Sequence, residues 1–254
     1  MPLLELKGLT KLFGKLAALN DIDLAVKKGE VLGICGPNGS GKTTLINVVS
    51  GYYRPSRGQI IFDGKKISGL RPDQIAARGI VRTFQSNVLF WRATVLESMM
   101  IASLLQYKTN DWQDFVKTKT FKDDYKKVLG RVIGILKVFG LSNSMHSPAA
   151  GLPHGHQRML GIAMALAASP SLLLLDEPTT GMNHKEAMFV GENIKKINEL
   201  GVTVLVIEHN MKVLLDIAAR VVVLNFGNKI ADGNPKEVMN KQEVIEAYLG
   251  TENI

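Results

Sequence analysis

Cysteine is nearly missing from this chain. The single residue, Cys35, rules out an internal disulfide and fits a reducing compartment. In its apolar stretch it reads as a small buried strand residue rather than a redox group. Long apolar runs are missing too: none approaches the roughly 20 residues that cross a bilayer. Glu5 and Lys7 interrupt the apolar character of Met1–Thr10, so no signal peptide is expected there. There is no internal repeat and no low-complexity segment. Acidic residues are outnumbered, 23 against 31 Lys and Arg, for a net charge of +8. That balance suits a basic surface facing nucleic acid or anionic lipid headgroups, and equally a nucleotide enzyme with a solvated basic face.

What remains is an ordinary globular composition, 46% hydrophobic and 21% charged over 254 residues, enough for one large α/β domain or two small ones. Its most informative stretch is Gly36–Thr44, GPNGSGKTT, which fits G-x-x-x-x-G-K-[ST]. Gly36, Gly39 and Gly41 let the backbone turn with N–H groups inward, and Pro37, Asn38 and Ser40 complete the loop. A helix opening near Lys42 adds its N-terminal N–H groups and dipole. Lys42 can reach β/γ-phosphates, Thr43 can offer its hydroxyl to Mg2+, and Thr44 follows in the same turn. A buried strand, Glu30–Cys35, precedes the loop and a helix through Val49 follows, the context the motif requires. This implies a nucleoside-triphosphate site.

Around it, Leu3–Phe13 reads as an edge strand and Ala18–Val26 as a second strand, closed by Lys27-Lys28-Gly29. Phe13, upstream of a phosphate loop, can stack on adenine. Gln59–Phe62 is a strand with a hairpin signal at Asp63-Gly64, Pro72–Arg78 a short helix, and Ile80–Phe84 a strand ending in Gln85. Gln85 at such an end can reach Mg2+ or an attacking water. From Ser86 to about Ala150 the chain turns helical, with helices predicted over Thr94–Leu105 and Val128–Phe139 and a Lys- and Asp-rich solvated face between them. Leu152-Pro153-His154-Gly155-His156 opens a helix over Gln157–Ala168; the histidine spacing matches no common zinc pattern.

Leu172–Leu175 is a wholly apolar strand, expected inside a parallel sheet, and it runs into Asp176-Glu177-Pro178. Ligands of open α/β sheets bind past such ends. Asp176 can hold Mg2+, and Glu177 can orient and deprotonate water. Thr179–Asn183 is a loop and Lys185–Leu200 a helix. Val202–Ile207 is a second buried strand, ending in Glu208-His209, where His209 can donate to a γ-phosphate. A hairpin over Val221–Ala231 and helices over Pro235–Asn240 and Gln242–Leu249 finish the chain.

In order and spacing these stretches resemble the ATP-binding subunit of an ABC transporter. Phe13 matches the family's adenine-stacking position, Gly36–Thr44 its phosphate loop, Gln85 its glutamine loop and Leu152–Arg158 its signature loop. Leu172–Glu177 matches its Mg2+/base strand and His209 its switch histidine. Ala77–Gln85, Ile207–Met211 and Glu246–Gly250 look like the branched-chain amino acid importer branch; lipopolysaccharide-export ATPases look similar at several of these places.

The resemblance implies a single P-loop NTPase domain over 1–254 with a mostly parallel sheet and an antiparallel N-terminal β part. Its core would span about 1–85 and 160–240, with a helical insert over about 86–160 and C-terminal helices over 235–254. It implies an ATPase with Glu177, His209 and Gln85 as catalytic residues, ATP and Mg2+ as cofactors, and Thr43, Gln85 and Asp176 around the metal. The expected partners are membrane permease subunits and a second ATP-binding subunit, identical or related, paired head to tail. In that pair Leu152, Pro153, His154, Gly155 and His156 would face the partner's ATP. The expected place is the cytoplasmic face of the inner membrane, with no nucleic acid partner. Three other readings stand beside this: a lipid or lipopolysaccharide exporter ATPase, a soluble ATPase acting on DNA or ribosomes, and a binding module without turnover. The sequence departs from the family at its L-S-G-G-Q signature, where Pro153, His154 and His156 stand, and at Asn183, where Asp is common.

Overall fold

The computed structural model describes residues 1–83, 90, 92–104 and 119–249. Two compact units divide the chain: residues 1–82 with 171–254, and residues 83–170. The predicted Phe84 and Gln85 lie outside the described residues.

The first unit holds two sheets. The smaller is antiparallel, in the order β2 (Leu16–Lys27), β1 (Pro2–Phe13), β4 (Arg57–Phe62), β5 (Lys65–Lys66). Here the expectation of an edge strand is corrected. β1 lies inside the sheet, with Leu6 opposite Leu24 on one side and Ile60 on the other. The alternation of Leu4, Leu6 and Leu9 shows that one face is buried, not how many neighbours the strand has. Asp63 and Gly64 turn from β4 to β5 with φ of 47° and 73°, the left-handed pair that a tight hairpin demands.

The larger sheet runs β10 (Asn228–Gly233), β9 (Arg220–Asn225), β3 (Val31–Cys35), β8 (Thr203–Ile207), β7 (Leu172–Asp176), β6 (Ile80–Arg82), parallel except for the β9–β10 hairpin. Its central strands are buried throughout and almost wholly apolar, since both faces are covered. On one side Leu32, Ile34, Leu172, Leu174, Leu205, Ile207, Val222 and Leu224 join one core with α1 (Lys42–Val49) and the inner face of the small sheet. Alternate residues such as Leu173, Val204, Val206 and Val221 are equally buried from the other side. Arg220 ties the sheets together: its guanidinium meets Glu30 at 3.0 Å, Asp232 at 3.1 Å and the Ala25 carbonyl of β2.

Pairing register places the strand ends. Ile34 lies beside Ile207, and Ile207 beside Asp176. The residues after β3, β8 and β7 therefore leave the sheet at one edge. The remaining helices of this unit are α2 (Pro72–Ala76), then, in chain order after the second unit, α6 (His184–Glu199), α7 (Met211–Ile217), α8 (Pro235–Met239) and α9 (Gln242–Leu249). α7 was not expected from the sequence. Asn183 caps α6: its side chain accepts from the Glu186 N–H, and the Glu186 carboxylate accepts from the Asn183 N–H, each at 3.0 Å.

The second unit contains α3 (Val95–Ala102), α4 (Lys119–Val138) and α5 (His154–Ala167). Val95, Met99, Val132, Leu136, Phe139, Leu160 and Ala163 are buried in it, and Arg131 donates to the Leu166 carbonyl at 3.1 Å. Lys126 and Lys127 are exposed, in keeping with a solvated face. α5 begins at His154, three residues before the predicted Gln157, so His154, Gly155 and His156 form its first turn rather than a preceding loop.

Substituting Asn183→Ala is expected to cost about 1 kcal/mol, the usual loss of an N-cap, read as a lower urea midpoint at unchanged slope. Leu174→Ala, with no exposure to relax into, is expected to cost about 2–5 kcal/mol in the same measurement.

Candidate functional site

The edge where β3, β7 and β8 end carries a cleft of about 380 Å3. Phe13, Asn38, Gly39, Ser40, Gly41, Lys42, Thr43, Thr44, Glu177 and His209, all singled out in the sequence, line it together. The loop from Gly36 to Gly41 is built on close approach. A Cβ on Gly36 would sit 2.0 Å from the Leu224 carbonyl oxygen, and one on Gly41 2.5 Å from that of Ala18, with φ of 146° and 106°. No other residue type fits either place. Gly41 caps α1 with no side-chain hydrogen bond, so the first N–H groups of the helix point into the loop.

Lys42 is buried, and its ammonium donates to the carbonyls of Gly36 (2.8 Å) and Pro37 (2.9 Å) and to Ser40 Oγ (3.4 Å). Burial pulls its pKa down, and the negative charges of Glu177 and Asp176 oppose that. Its donors are those a phosphate oxygen would take over.

Three carboxylates follow, each in different surroundings. Asp176 is buried at the end of β7; Oδ2 accepts from Arg82 at 2.8 Å. Arg82, the last residue of β6, also bonds Asn47 and Ser50 of the α1 region and lies under Tyr52, 5.6 Å from the ring centre. Asp176 Oδ1 is buried and accepts no hydrogen bond among the described residues. Glu177 adopts a left-handed backbone, φ 49°, uncommon for such a residue. Its Oε1 lies 2.6 Å from His209 Nε2, and its Oε2 accepts from Thr180 Oγ1 at 3.2 Å. Glu208, fully enclosed, accepts from the N–H and hydroxyl of Thr179 (2.9 and 2.6 Å) and from the N–H groups of His209 and Asn210 (3.0 and 3.1 Å). It thereby holds the loops after β7 and β8 against each other.

The cation implied by the sequence fits this donor set. A buried carboxylate oxygen without a donor is costly unless a water or a hard cation meets it. Thr43 adds a hydroxyl on the same cleft. Mg2+ is commonly held by one or two such oxygens together with phosphates rather than by an all-protein cage. Accordingly, no cluster of three or more His, Cys, Asp or Glu suited to a metal occurs among the described residues.

The sequence reading missed three side chains here. Arg82 and Glu208 carried no signal of their own, because their partners are 94 and 29 residues away. Phe226, read only as a turn residue, also lines the cleft. Gln85 lies outside the described residues. The signature residues belong to the second unit, where Leu152 is buried and Pro153, His154 and His156 are exposed. The N-cap Pro153 offers no side-chain cap, so among the described residues the N–H groups of the first turn of α5 remain available.

Residues 19–180 match the family model described as ABC transporter, and residues 228–253 match one described as branched-chain amino acid ATP-binding cassette transporter. The chain belongs to the ABC transporter ATP-binding family. This cassette is 39% identical over 250 residues to the high-affinity branched-chain amino acid transport ATP-binding protein LivG of Salmonella typhimurium, covering 98% of each chain. It is similar to the crystal structure of the ADP conformation of an ABC transporter cassette (TM-score 0.85, 30% identity, 98% and 99% of the two chains). It also resembles a dimeric, post-hydrolysis cassette bound to ADP and phosphate (TM-score 0.75, 27% identity, 91% and 98%). As a member of this family the cassette is an ATPase.

Two outcomes are expected from the cleft's chemistry. Removing the cation from the buried pair, Arg82→Met, should destabilise the cassette by about 3–5 kcal/mol in urea unfolding, and adding Asp176→Asn should recover part of that loss. Burial pushes the Cys35 thiol up to about 11, so it stays protonated at neutral pH. Thiol reagents should label it slowly in the native cassette and quickly in denaturant.

Proposed function

We propose that this cassette is the ATP-hydrolysing subunit of a membrane transporter that imports branched-chain or other amino acids. The carrying observation is the meeting, in one cleft, of a Lys42-bearing phosphate loop with the Glu177–His209 pair, where Glu177 directly follows the buried Asp176 at the end of β7. The likeness to LivG supports the substrate class.

In this reading the loop N–H groups and Lys42 hold the β- and γ-phosphates, and Phe13 stacks on the base. Asp176 and Thr43 hold Mg2+, which when bound neutralises charge on the phosphates. Glu177, turned by its left-handed backbone toward the cleft wall, orients and deprotonates the attacking water. His209, whose backbone N–H is held by Glu208, keeps the Glu177 carboxylate in place through its ring and can turn its ring N–H to the γ-phosphate. Gln85 serves the same water or the metal. The signature turn Leu152–His156 contributes the N–H groups of His154, Gly155 and His156 to the ATP of a second cassette, identical or related, paired head to tail. Pro153 has no N–H to give, while His154 and His156 change only the side chain and keep their backbone donors.

The second unit supplies a site for the membrane partner. Phe90, Arg92, Leu96, Glu97, Met100 and Tyr125 line an open groove of about 940 Å3, mostly apolar with the charged Arg92 and Glu97 among its lining residues. No helix among the described residues is long and apolar enough to cross a membrane. The proposal is that a cytoplasmic helix of a permease docks in this groove, which sets the cassette on the inner face of the membrane.

Lys42→Ala is expected to abolish most ATP binding in equilibrium titration, since the phosphates lose their buried cation; full affinity would sink the phosphate-loop assignment. Glu177→Gln should retain ATP binding and lose hydrolysis, with a longer-lived ATP-bound dimer by size-exclusion; unchanged turnover would mean that the base lies elsewhere. Pull-down from detergent-solubilised native membranes should recover two permease subunits. A lipid-export permease in their place would reassign the substrate.

A further inference from the structure

The turn between β9 and β10 carries an apolar side chain in an unfavourable setting. Phe226 is 78% exposed, and its backbone is left-handed, φ 43°. Asn or Gly would relieve that strain and leave no large ring in water. Among the described residues Phe226 makes no ring contact. Its position is nonetheless fixed. The neighbouring Gly227 donates to the Ser40 carbonyl of the phosphate loop at 3.0 Å and accepts from the Asn20 N–H of β2 at 2.8 Å. The turn is thus fastened between the phosphate loop and the small sheet, and Phe226 faces the same cleft as both.

The side chains that line that cleft are of two chemical kinds. Lys42, Thr43 and Thr44 are polar. Phe13 and Leu16, 42% and 67% exposed, are apolar, as is Phe226. Phe13 is itself set by Tyr53, edge-on at 5.2 Å and 82°, and carries the Lys11 ammonium 4.8 Å from its ring centre. Three exposed apolar side chains on one small cleft are poorly placed in water and well placed against a flat apolar ligand.

We infer that Phe226 is a second base-binding side chain, which joins Phe13 and Leu16 in an apolar collar around the nucleobase of the bound nucleoside triphosphate. The inference rests on the reading of this cleft as an ATP site. It explains why a strained, exposed aromatic stands at a turn where smaller residues suit the backbone better. It also makes the base end of the site depend on the same turn that braces Ser40, so base contact and phosphate-loop geometry share one support.

The test is equilibrium binding of MgADP and of magnesium tripolyphosphate to the full chain and to Phe226→Asn and Phe226→Tyr. Stacking on one aromatic side chain is typically large enough that its loss weakens base binding roughly tenfold. Phe226→Asn should therefore raise the Kd for MgADP about tenfold and leave tripolyphosphate binding unchanged. Its ligand-free melting temperature should be equal to or above that of the parent chain, because Asn suits the left-handed backbone. Phe226→Tyr should bind MgADP as the parent does. Unchanged MgADP affinity in Phe226→Asn, equal weakening of both ligands, or a lower melting temperature would each overturn the inference. A parent chain that binds neither ligand would overturn the nucleotide-site reading itself.

Discussion

The register of three parallel strands is the constraint on which the cleft depends. Ile34, Ile207 and Asp176 stand side by side, so the chain leaves β3, β8 and β7 at one level. A slip of one residue in any pair would turn that strand's side chains to the opposite face. Asp176 would then leave Arg82, and Glu208 would leave Thr179. The apolar strands resist such a slip because each carries buried side chains on both faces. Leu, Ile and Val in the core thus hold in register the charges that do the chemistry at the edge.

Those charges are kept distinct by their surroundings. Among the described residues, Asp176 is desolvated and answered by a guanidinium on one oxygen only. Glu177 is half in the cleft, paired with an imidazole and a hydroxyl. Glu208 is saturated by three backbone N–H groups and a hydroxyl, which makes it a brace and not a reactant. Three acidic residues within 33 positions of one another do three different jobs, and only their hydrogen-bond partners tell them apart.

This also marks what could be read from the sequence. The phosphate loop and the apolar runs at β3, β7 and β8 were legible because local spacing alone dictates them. The carboxylates were legible as candidates because they follow such runs. The second neighbour of β1 was not legible, since strand order is settled by pairing with β4, some 50 residues later. The true start of α5 was hidden by Gly155 and Pro153, which read as loop although Pro153 is the N-cap. The seven-residue α7 is too short to show a period. Arg82 and Phe226 were passed over because nothing near them in sequence says what they touch.

The strand order has a consequence for how the chain is made. β3 carries the phosphate loop, yet its two neighbours are β8 and β9, which come about 170 and 185 residues later. At a synthesis rate of roughly 5–20 residues per second, the loop-bearing strand waits on the order of 10–30 seconds with both edges unpaired. The helices of residues 83–170 lie between, and their contacts are local enough to form during that wait. An emerging chain therefore holds a folded helical unit before it owns a nucleotide site. The phosphate loop is among the first functional segments translated and among the last to acquire its shape.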